Sequence, residues 1–366
     1  MSELFQKIRT EIAAKGTVSF ARFMELALYA PGLGYYEHAA QRVGREGDFY
    51  TSVSVGNLFG ELLAFQFAEW MKEDAPRKCQ IVEAGAHDGR LAADILTHLR
   101  QFRPRLFDRV EYFIVDPSFT RQKWQRETLA PFDGKVKWCE SLAALPTVRG
   151  LIFSNELLDA FPVHRIGWDA VAQRWFEWGV SCDGEKFIRV RMTKPEAKAV
   201  RSATLQVPRE LRAVLPDGFT TEICPAAAEW WNAAAGKLED GRLLTVDYGF
   251  LAEEFYAPNR AAGTLRAYAN HRVCEDPLAN PGGQDLTSSV NFTVLQVMGE
   301  LAGLKSEPLA TQAAFLTRIL GATILAKKRF GEWTPTRTRQ FQTLTHPEHL
   351  GRPFRVLVQS RLHSSE

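Results

Sequence analysis

The chain has few cysteines, little net charge and no long hydrophobic run. Its five cysteines are scattered through 366 residues without a Cys-x-x-Cys pair, so neither a disulfide framework nor a cysteine-ligated zinc site is expected. The formal net charge of +2 does not predict a nucleic-acid or membrane-surface partner. No apolar run approaches the roughly 20 residues that span a bilayer, so membrane insertion is not expected.

Targeting signals and metal-binding patterns are missing as well. The N-terminus has no basic stretch followed by an apolar one, and it lacks the Arg- and Ser-rich character of a transit peptide. With cysteine usage that suits a reducing compartment, this predicts a cytoplasmic location. His346 and His349 have a metal-like spacing, but Pro347 disfavours a continuous helix and no third ligand is evident, so no metal site is predicted.

Short apolar runs alternate with helical patterns through much of the chain, which is typical of a parallel sheet flanked by helices. The runs cover residues 81–83, 112–115, 136–138, 151–153 and 243–246. Between the last two, residues 174–192 have the pattern of a hairpin that turns at Asp183-Gly184. The predicted division is therefore an N-terminal helical region over 1–75, an α/β core over 76–170 and 235–366, and an insertion over 171–234 at the ligand-facing edge of the sheet.

A glycine-punctuated turn follows the first of these runs. Gly85 and Gly89 flank His87, and the pattern predicts a strand, a turn and the N-terminus of a helix, whose backbone N–H groups can bind a nucleotide-type ligand. Glu83 beside the turn would repel a pyrophosphate but attract a cation. S-adenosylmethionine carries an ammonium and a sulfonium group, so we predict that it is the cofactor.

Polar residues stand at the ends of the other predicted strands, where ligands bind in open α/β sheets. Asp116 is placed to accept the ribose hydroxyls of an adenosine ligand, although an acid there can also cap a helix or a turn. Glu140 and Ser141 follow the third run, where the adenine edge would lie, or they form a solvated turn. Asn155 and Glu156 follow the fourth run, where an acceptor would approach.

Several longer strings resemble one known family, the MidA/NDUFAF7-type methyltransferases. The strings that carry the resemblance are residues 29–36, 44–52, 59–64, 155–163, 247–249, 264–268 and 285–292. These enzymes are S-adenosylmethionine-dependent, and their mitochondrial members dimethylate an arginine on a respiratory complex I subunit during its assembly. The resemblance implies a Rossmann-like, seven-stranded methyltransferase sheet with an N-terminal helical layer and an inserted subdomain that contains a β-hairpin. It also implies a protein substrate.

The resemblance, read with the strand-end positions, assigns candidate roles to individual residues. Asn155, Glu156 and Asp159 are the predicted catalytic residues. The carboxylates of Glu156 and Asp159 can orient a guanidinium and hold its charge, with Asn155 as a neutral orienter; Asp159 can alternatively cap a helix. The predicted cofactor-binding residues are Asp48, Thr51, Ser52, Glu83, Gly85, His87, Gly89, Asp116, Glu140 and Ser141. For Asp48, Thr51 and Ser52 the alternatives are contact with the acceptor and a turn-stabilising role.

The chain also departs from the family pattern at three places. His87 stands where the family has the middle glycine of the turn, Val53 and Ser54 replace a Pro-Glu pair, and Asn291 replaces an acid. These changes leave two functional classes open: a protein arginine methyltransferase, and an assembly factor that binds S-adenosylmethionine without catalysis. A dehydrogenase on a related sheet is a third and more distant reading.

Overall fold

The computed structural model describes residues 2–38, 51–71, 78–269 and 272–362. The chain divides into two compact units. The first unit comprises Met1–Gln41, Leu158–Trp230 and Gly249–Leu295, and the second unit comprises Arg42–Leu157, Trp231–Tyr248 and Gln296–Glu366. These bounds differ from the predicted division at residues 75, 170 and 234.

Hydrophobic packing explains the difference in bounds. The first two helices of the N-terminal region bury Ile8 and Phe23 in one core cluster with Val180 and Phe187 of the predicted hairpin. The later helix of that region belongs to another cluster, in which Leu62 is buried with the helix and strands around the glycine turn. An amphipathic helix packs its apolar face against whichever apolar surface buries it. Because the first two helices pack in one cluster and the later helix in another, the predicted N-terminal region is divided between the two units.

The second unit contains the predicted parallel sheet. Its helices are α4 (Leu58–Met71), α5 (Arg90–Phe102), α6 (Pro104–Arg109), α7 (Phe119–Thr128), α13 (Gln312–Leu325), α14 (Lys327–Phe330) and α15 (Pro335–Thr345). Its strands are β2 (Cys79–Ala84), β3 (Val110–Val115), β4 (Val136–Cys139), β5 (Val148–Asn155), β15 (Lys305–Ser306), β16 (Ala310–Thr311) and β17 (Phe354–Arg361). Helices α10 (Pro225–Lys237) and α12 (Phe292–Leu301) and strand β10 (Leu238–Phe250) contribute residues to both units.

The main path of this sheet has seven strands, in the order β15-β17-β10-β5-β2-β3-β4. Five consecutive strands are parallel, from β10 through β5, β2 and β3 to β4 at the edge, and β17 is antiparallel to β10. All five predicted apolar runs are strands of this sheet. Two short strands, β16 beside β17 and β14 (Val290–Asn291) beside the end of β10, raise the number of strands in the sheet to nine. The carboxyl ends of the parallel strands therefore share one edge, as predicted.

The first unit combines the N-terminal helices with two smaller antiparallel sheets. Its helices are α1 (Glu3–Lys15), α2 (Phe20–Tyr29), α3 (Tyr35–His38), α8 (Ala197–Gln206), α9 (Arg209–Arg212) and α11 (Ala252–Phe255). One sheet holds β1 (Val18–Ser19), β6 (His164–Asp169), β7 (Arg174–Asp183), β8 (Lys186–Arg191) and β9 (Thr220–Ile223). The other holds β11 (Arg266–Ala269), β12 (Arg272–Cys274) and β13 (Asp285–Thr287).

Local sequence signals account for several of these boundaries. The Ser19 hydroxyl accepts a hydrogen bond from the Arg22 N–H at the start of α2, as an N-cap residue does. Strand β7 pairs with β8 from Trp178–Arg191 to Asp183–Lys186, so the predicted hairpin turns where Asp183-Gly184 indicated. Among the described residues, no helix is both long and apolar enough to cross a membrane.

Candidate functional site

The glycine turn forms at the carboxyl end of β2. Gly85 and Gly89 have φ angles of +76° and +87°, and His87 has +47°, a region that favours glycine. Gly89 precedes α5 as its N-cap residue. The His87 carbonyl accepts a hydrogen bond from the Gln125 side-chain amide at 3.0 Å, and this contact holds a non-glycine residue in a left-handed conformation. The first N–H groups of α5 and the turn are thus placed together for a ligand with an electronegative group.

Glu83 is buried directly before this turn. Its side chain is 2% exposed, and one carboxylate oxygen accepts a hydrogen bond from the Tyr112 hydroxyl at 2.6 Å. Burial raises the pKa of Glu83 to about 7, and the bond from Tyr112 opposes this increase only in part. A buried carboxylate is costly to ionise unless a cation approaches it, so the site favours a ligand with a positive group.

This pKa predicts how ligand affinity depends on pH. A cationic ligand stabilises ionised Glu83, so the pKa of the carboxyl falls on binding and the ligand displaces a proton at pH values below about 7. We therefore expect the affinity for S-adenosyl-homocysteine to fall about eightfold between pH 7.5 and pH 6.0. Isothermal titration calorimetry measures this. In Glu83→Gln the affinity should be weaker but flat over the same range, and an equal slope in both proteins would assign the titration to another group.

Asp116 lies at the end of β3 and already has protein partners. It is 1% exposed, and its carboxylate accepts hydrogen bonds from Arg121 Nη2 at 2.7 Å, Gln125 Nε2 at 2.8 Å and the Ser118 N–H at 2.9 Å. Asp116 therefore stands at the predicted strand end, and its bond from the Ser118 N–H is also the turn contact given as the alternative. A ribose hydroxyl would share these oxygens with Arg121 and Gln125, or replace one of them.

Gln125 connects three parts of this edge and was not predicted. Its amide nitrogen donates to the His87 carbonyl and to Asp116, and its amide oxygen accepts from Trp138 Nε1 at 3.0 Å. The side chain is completely buried. One glutamine therefore links the glycine turn to the ends of β3 and β4. Glu140 and Ser141, which follow β4, are exposed, and the predicted adenine contact and the solvated turn both agree with that position.

Glu156 follows β5 in a left-handed conformation, with φ of +52°. The Glu156 backbone N–H donates to the Val246 carbonyl of β10 at 2.9 Å. The Glu156 side chain accepts two hydrogen bonds through Oε1, from the Ser52 backbone N–H at 3.3 Å and from Asn155 Nδ2 at 3.1 Å. Asn155 Oδ1 is buried and has no hydrogen-bond partner among the described residues. Two of the three predicted catalytic residues are thus in direct contact.

The predicted N-terminal contributors differ in their surroundings. Ser52 is completely buried, and its hydroxyl donates to Gln312 Oε1 at 3.0 Å. Thr51 exchanges hydrogen bonds with Ser54 through both backbone and side-chain atoms, which is the turn-stabilising role given as its alternative. Residues 53–55 form a short 3₁₀ turn where the family pattern would have Pro-Glu. Asp48 lies outside the described residues.

Asp159 belongs to the first unit, unlike Asn155 and Glu156. It is 6% exposed, and its backbone carbonyl accepts a hydrogen bond from the Ser288 N–H at 2.8 Å. Burial, together with the carboxylates of Asp285 and Asp159, holds the pKa of Tyr36 well above its ordinary value.

Asn291, which stands where the family pattern has an acid, also belongs to the first unit. It donates through Nδ2 to the Tyr256 hydroxyl at 3.0 Å.

A group of potential metal ligands lies elsewhere in the first unit. His164, Glu177 and Glu196 each bring one ligand atom within 4.8 Å of the others. His164 Nδ1 is 2.7 Å from Glu177 Oε1, and the Glu196 N–H donates to Glu177 Oε2 at 2.6 Å. These bonds already use both oxygens of Glu177, so they explain the cluster as an internal contact at the start of α8.

The second unit fits S-adenosylmethionine on the basis of its own residues. A Cβ at Gly85 would lie 2.8 Å from Leu157 Cδ1, so the turn has no space for a side chain there. Tyr112 occupies one oxygen of Glu83, and neither ring nitrogen of His87 has a hydrogen-bond partner within the described part of the chain. At this edge the Glu83 carboxylate suits a positively charged group such as an ammonium or a sulfonium, and Asp116 suits the ribose of an adenosine.

The fold is that of a Rossmann-like α/β methyltransferase, a class in which ligands bind at the carboxyl ends of the parallel strands. A family sequence profile identifies the particular family. It matches residues 62–309 and is described as "Putative S-adenosyl-L-methionine-dependent methyltransferase". Because the match covers more than half of the chain, the chain belongs to this family. It is an S-adenosylmethionine-dependent methyltransferase, as the resemblance in its sequence predicted.

Curated relatives extend the comparison over nearly the whole chain. The Drosophila melanogaster mitochondrial protein arginine methyltransferase NDUFAF7 homologue is 29% identical over 97% of this chain and 84% of its own length. The Danio rerio mitochondrial protein arginine methyltransferase NDUFAF7 is 27% identical over 99% of this chain and 89% of its own length. These relatives are named as mitochondrial proteins. The predicted cytoplasmic location is contradicted by them and is therefore wrong.

Solved structures give the same answer for the fold. A crystal structure from Burkholderia thailandensis with bound S-adenosyl-homocysteine is 33% identical, with a TM-score of 0.82 over 98% of this chain and 92% of that chain. A second structure from the same organism is 31% identical, with a TM-score of 0.79 over 98% and 91%. The predicted fold class and cofactor are confirmed by these neighbours.

Proposed function

We propose that this chain methylates arginine side chains of a protein partner that takes part in respiratory complex assembly. The observation that carries the proposal is Glu156, whose carboxylate lies at the end of β5 with Oε1 held by Asn155 and by the Ser52 N–H. The relatives named as protein arginine methyltransferases support the choice of acceptor. Their NDUFAF7 names are the support for an assembly role.

The chemistry of arginine explains why a fixed carboxylate is needed. A guanidinium has a pKa above about 12, so it is charged when it binds. Attachment of a methyl group adds a second positive charge, and one proton therefore passes to solvent during or after the transfer, which leaves a singly charged methylguanidinium. Glu156 binds this group, orients one nitrogen towards the methyl donor and stabilises the positive charge. Asn155, whose Oδ1 has no described partner, accepts a second hydrogen bond from the same group. When bound, S-adenosylmethionine supplies an electrophilic methyl group on its sulfonium.

Other residues of this edge hold the cofactor in this proposal. Glu83 pairs with the ammonium group, the backbone from Gly85 through His87 to Gly89 surrounds the methionine end, and Asp116 accepts from the ribose. Glu140 and Ser141 face the adenine edge, and residues 48, 51 and 52 contribute from the N-terminal side. Arg121 and Gln125 hold Asp116 in place through the hydrogen bonds described above.

One observation favours the second candidate function, an assembly factor that binds S-adenosylmethionine without methylating its partner. The family pattern has an acid at residue 291, whereas the asparagine here is engaged by Tyr256 and by the backbone at the start of α12. A carboxylate that could bind a cationic acceptor is therefore replaced by a neutral amide. Asn291 is not among the residues proposed to hold the cofactor, so the two candidates differ only in catalysis.

A transfer assay separates these candidates. Purified protein is incubated with methyl-tritiated S-adenosylmethionine and a lysate from cells that lack the gene, and the labelled proteins are analysed by mass spectrometry. We expect methylarginine in one or a few proteins, and none with heat-inactivated enzyme. Tight binding of S-adenosyl-homocysteine without incorporation would favour the assembly factor. Label on lysine or on a chain terminus would overturn the choice of arginine.

A further inference from the structure

Gln312 is a completely buried polar side chain that both donates and accepts hydrogen bonds. It is the first residue of α13, directly after Thr311, whose hydroxyl caps the helix. Its Nε2 donates to the Leu344 carbonyl near the end of α15 at 2.9 Å, and its Oε1 accepts from the Ser52 hydroxyl at 3.0 Å. A buried amide must keep its partners, because a buried polar group left unpaired bears the full cost of its desolvation. The side chain is therefore fixed at both atoms of its amide.

The bond to Ser52 leads directly to Glu156. While the Ser52 hydroxyl is held by Gln312, its backbone N–H donates to Glu156 Oε1. Residues 52 and 312 are separated by 260 positions in the chain, and residues 52 and 156 by 104. A continuous series of hydrogen bonds thus runs from the Leu344 carbonyl through Gln312 and Ser52 to the carboxylate.

We infer that Gln312 is a positioning residue for methyl transfer, which acts by holding Ser52 so that its N–H fixes the Glu156 carboxylate. The inference rests on the proposed function, because it takes Glu156 to be the group that orients the acceptor. A glutamate side chain has several rotatable bonds, and a functional carboxylate must be held within about 0.5 Å of its productive position. Gln312 supplies that restraint from an element that contributes no predicted site residue.

Two variants remove this restraint in different ways. Gln312→Leu has a similar volume and removes both hydrogen bonds, whereas Ser52→Ala removes only the hydroxyl and leaves the backbone N–H in place. The matched control is Gln359→Leu in the same unit. Gln359 is also completely buried, and its amide accepts from Trp231 Nε1 and donates to the Gln296 carbonyl and the Ser306 hydroxyl. Its loss should destabilise the fold at least as much, without a connection to Glu156.

The measurements are tritium transfer from S-adenosylmethionine to the gene-deletion lysate, S-adenosyl-homocysteine affinity by calorimetry, and the melting temperature. We expect Gln312→Leu to lower transfer about tenfold, on the scale of one lost hydrogen bond, with S-adenosyl-homocysteine affinity changed less than twofold. Ser52→Ala should lower transfer in the same direction. Gln359→Leu should retain wild-type transfer despite a lower melting temperature.

A double-variant cycle tests whether Gln312 acts through Glu156. In a Glu156→Gln background, Gln312→Leu should cause little further loss of transfer, because the charge that it positions is already missing. A further tenfold loss in that background, or full transfer by Gln312→Leu, would overturn the inference. If Gln312→Leu does not fold, Ser52→Ala replaces it in the same cycle. If Glu156→Gln itself transfers as well as the wild type, the role of Glu156 in the proposed function fails, and this inference fails with it.

Discussion

Gly85→Val is expected to abolish binding of S-adenosyl-homocysteine. The backbone at Gly85 has φ of +76°, which a β-branched residue adopts only with strain. A Cβ there would also lie 2.8 Å from Leu157 Cδ1, so the turn must move where the cofactor approaches it. We expect at least a hundredfold loss of affinity, which corresponds to about 2.8 kcal/mol, measured by calorimetry on the folded variant.

Gly134→Val is the matched control for this experiment. Gly134 is in the same unit and has nearly the same φ, +74°, but an added Cβ would meet nothing within 4 Å. It therefore imposes similar backbone strain without filling any space near the glycine turn. Both variants should lose stability, and only Gly85→Val should lose the ligand. Unchanged affinity in folded Gly85→Val would contradict the placement of the cofactor at this turn.

The parallel sheet could be predicted because its signals are local. Each apolar run is short and is followed within two positions by a polar residue or a glycine. Residues 81–83, 112–115 and 136–138 all lie within observed strands. The hairpin at Asp183-Gly184 could be predicted for the same reason, since a two-residue turn fixes the register of the two strands that it joins. The bounds of the two units could not be predicted from local signals, because they depend on which distant residues bury the apolar faces of α1 and α2.

The same difference between local and long-range signals applies to the candidate site. Glu83, Gly85 and Asp116 could be proposed from the sequence because each stands directly beside a strand end. Tyr112 and Gln125 were missed, because they act through hydrogen bonds to Glu83 and Asp116 that no short motif records.

Gln312 shows the limit most clearly. It is 260 residues from its partner Ser52, and in the sequence it is an ordinary residue at the start of a helix. The sequence reveals residues that a local pattern brings together, whereas the residues that hold them in place come from distant elements.

Glu156→Gln is expected to retain the cofactor and to lose most of the methyl transfer. Glutamine has the shape of glutamate and tolerates the left-handed backbone at this position, φ of +52°, about as well. Its Oε1 can still accept the hydrogen bonds from Asn155 and from the Ser52 N–H, so the substitution removes the charge and little else. A charge-assisted hydrogen bond is worth about 1.5–3 kcal/mol, and we therefore expect transfer to fall about ten- to a hundredfold.

Glu111→Gln provides the control for removing a negative charge elsewhere in the second unit. Glu111 lies on β3 and pairs with Lys137 at the surface, 2.7 Å away, so its loss should leave transfer at the wild-type rate. S-adenosyl-homocysteine affinity should be nearly the same in wild type and Glu156→Gln, because most of the proposed cofactor contacts lie at the ends of β2, β3 and β4, and glutamine can still accept the hydrogen bond from the Ser52 N–H. A loss of affinity equal to the loss of transfer would place Glu156 at the cofactor instead. If cells that carry Glu156→Gln keep the partner's methylarginine at the wild-type level, Glu156 does not orient the acceptor, and another carboxylate must bind the guanidinium.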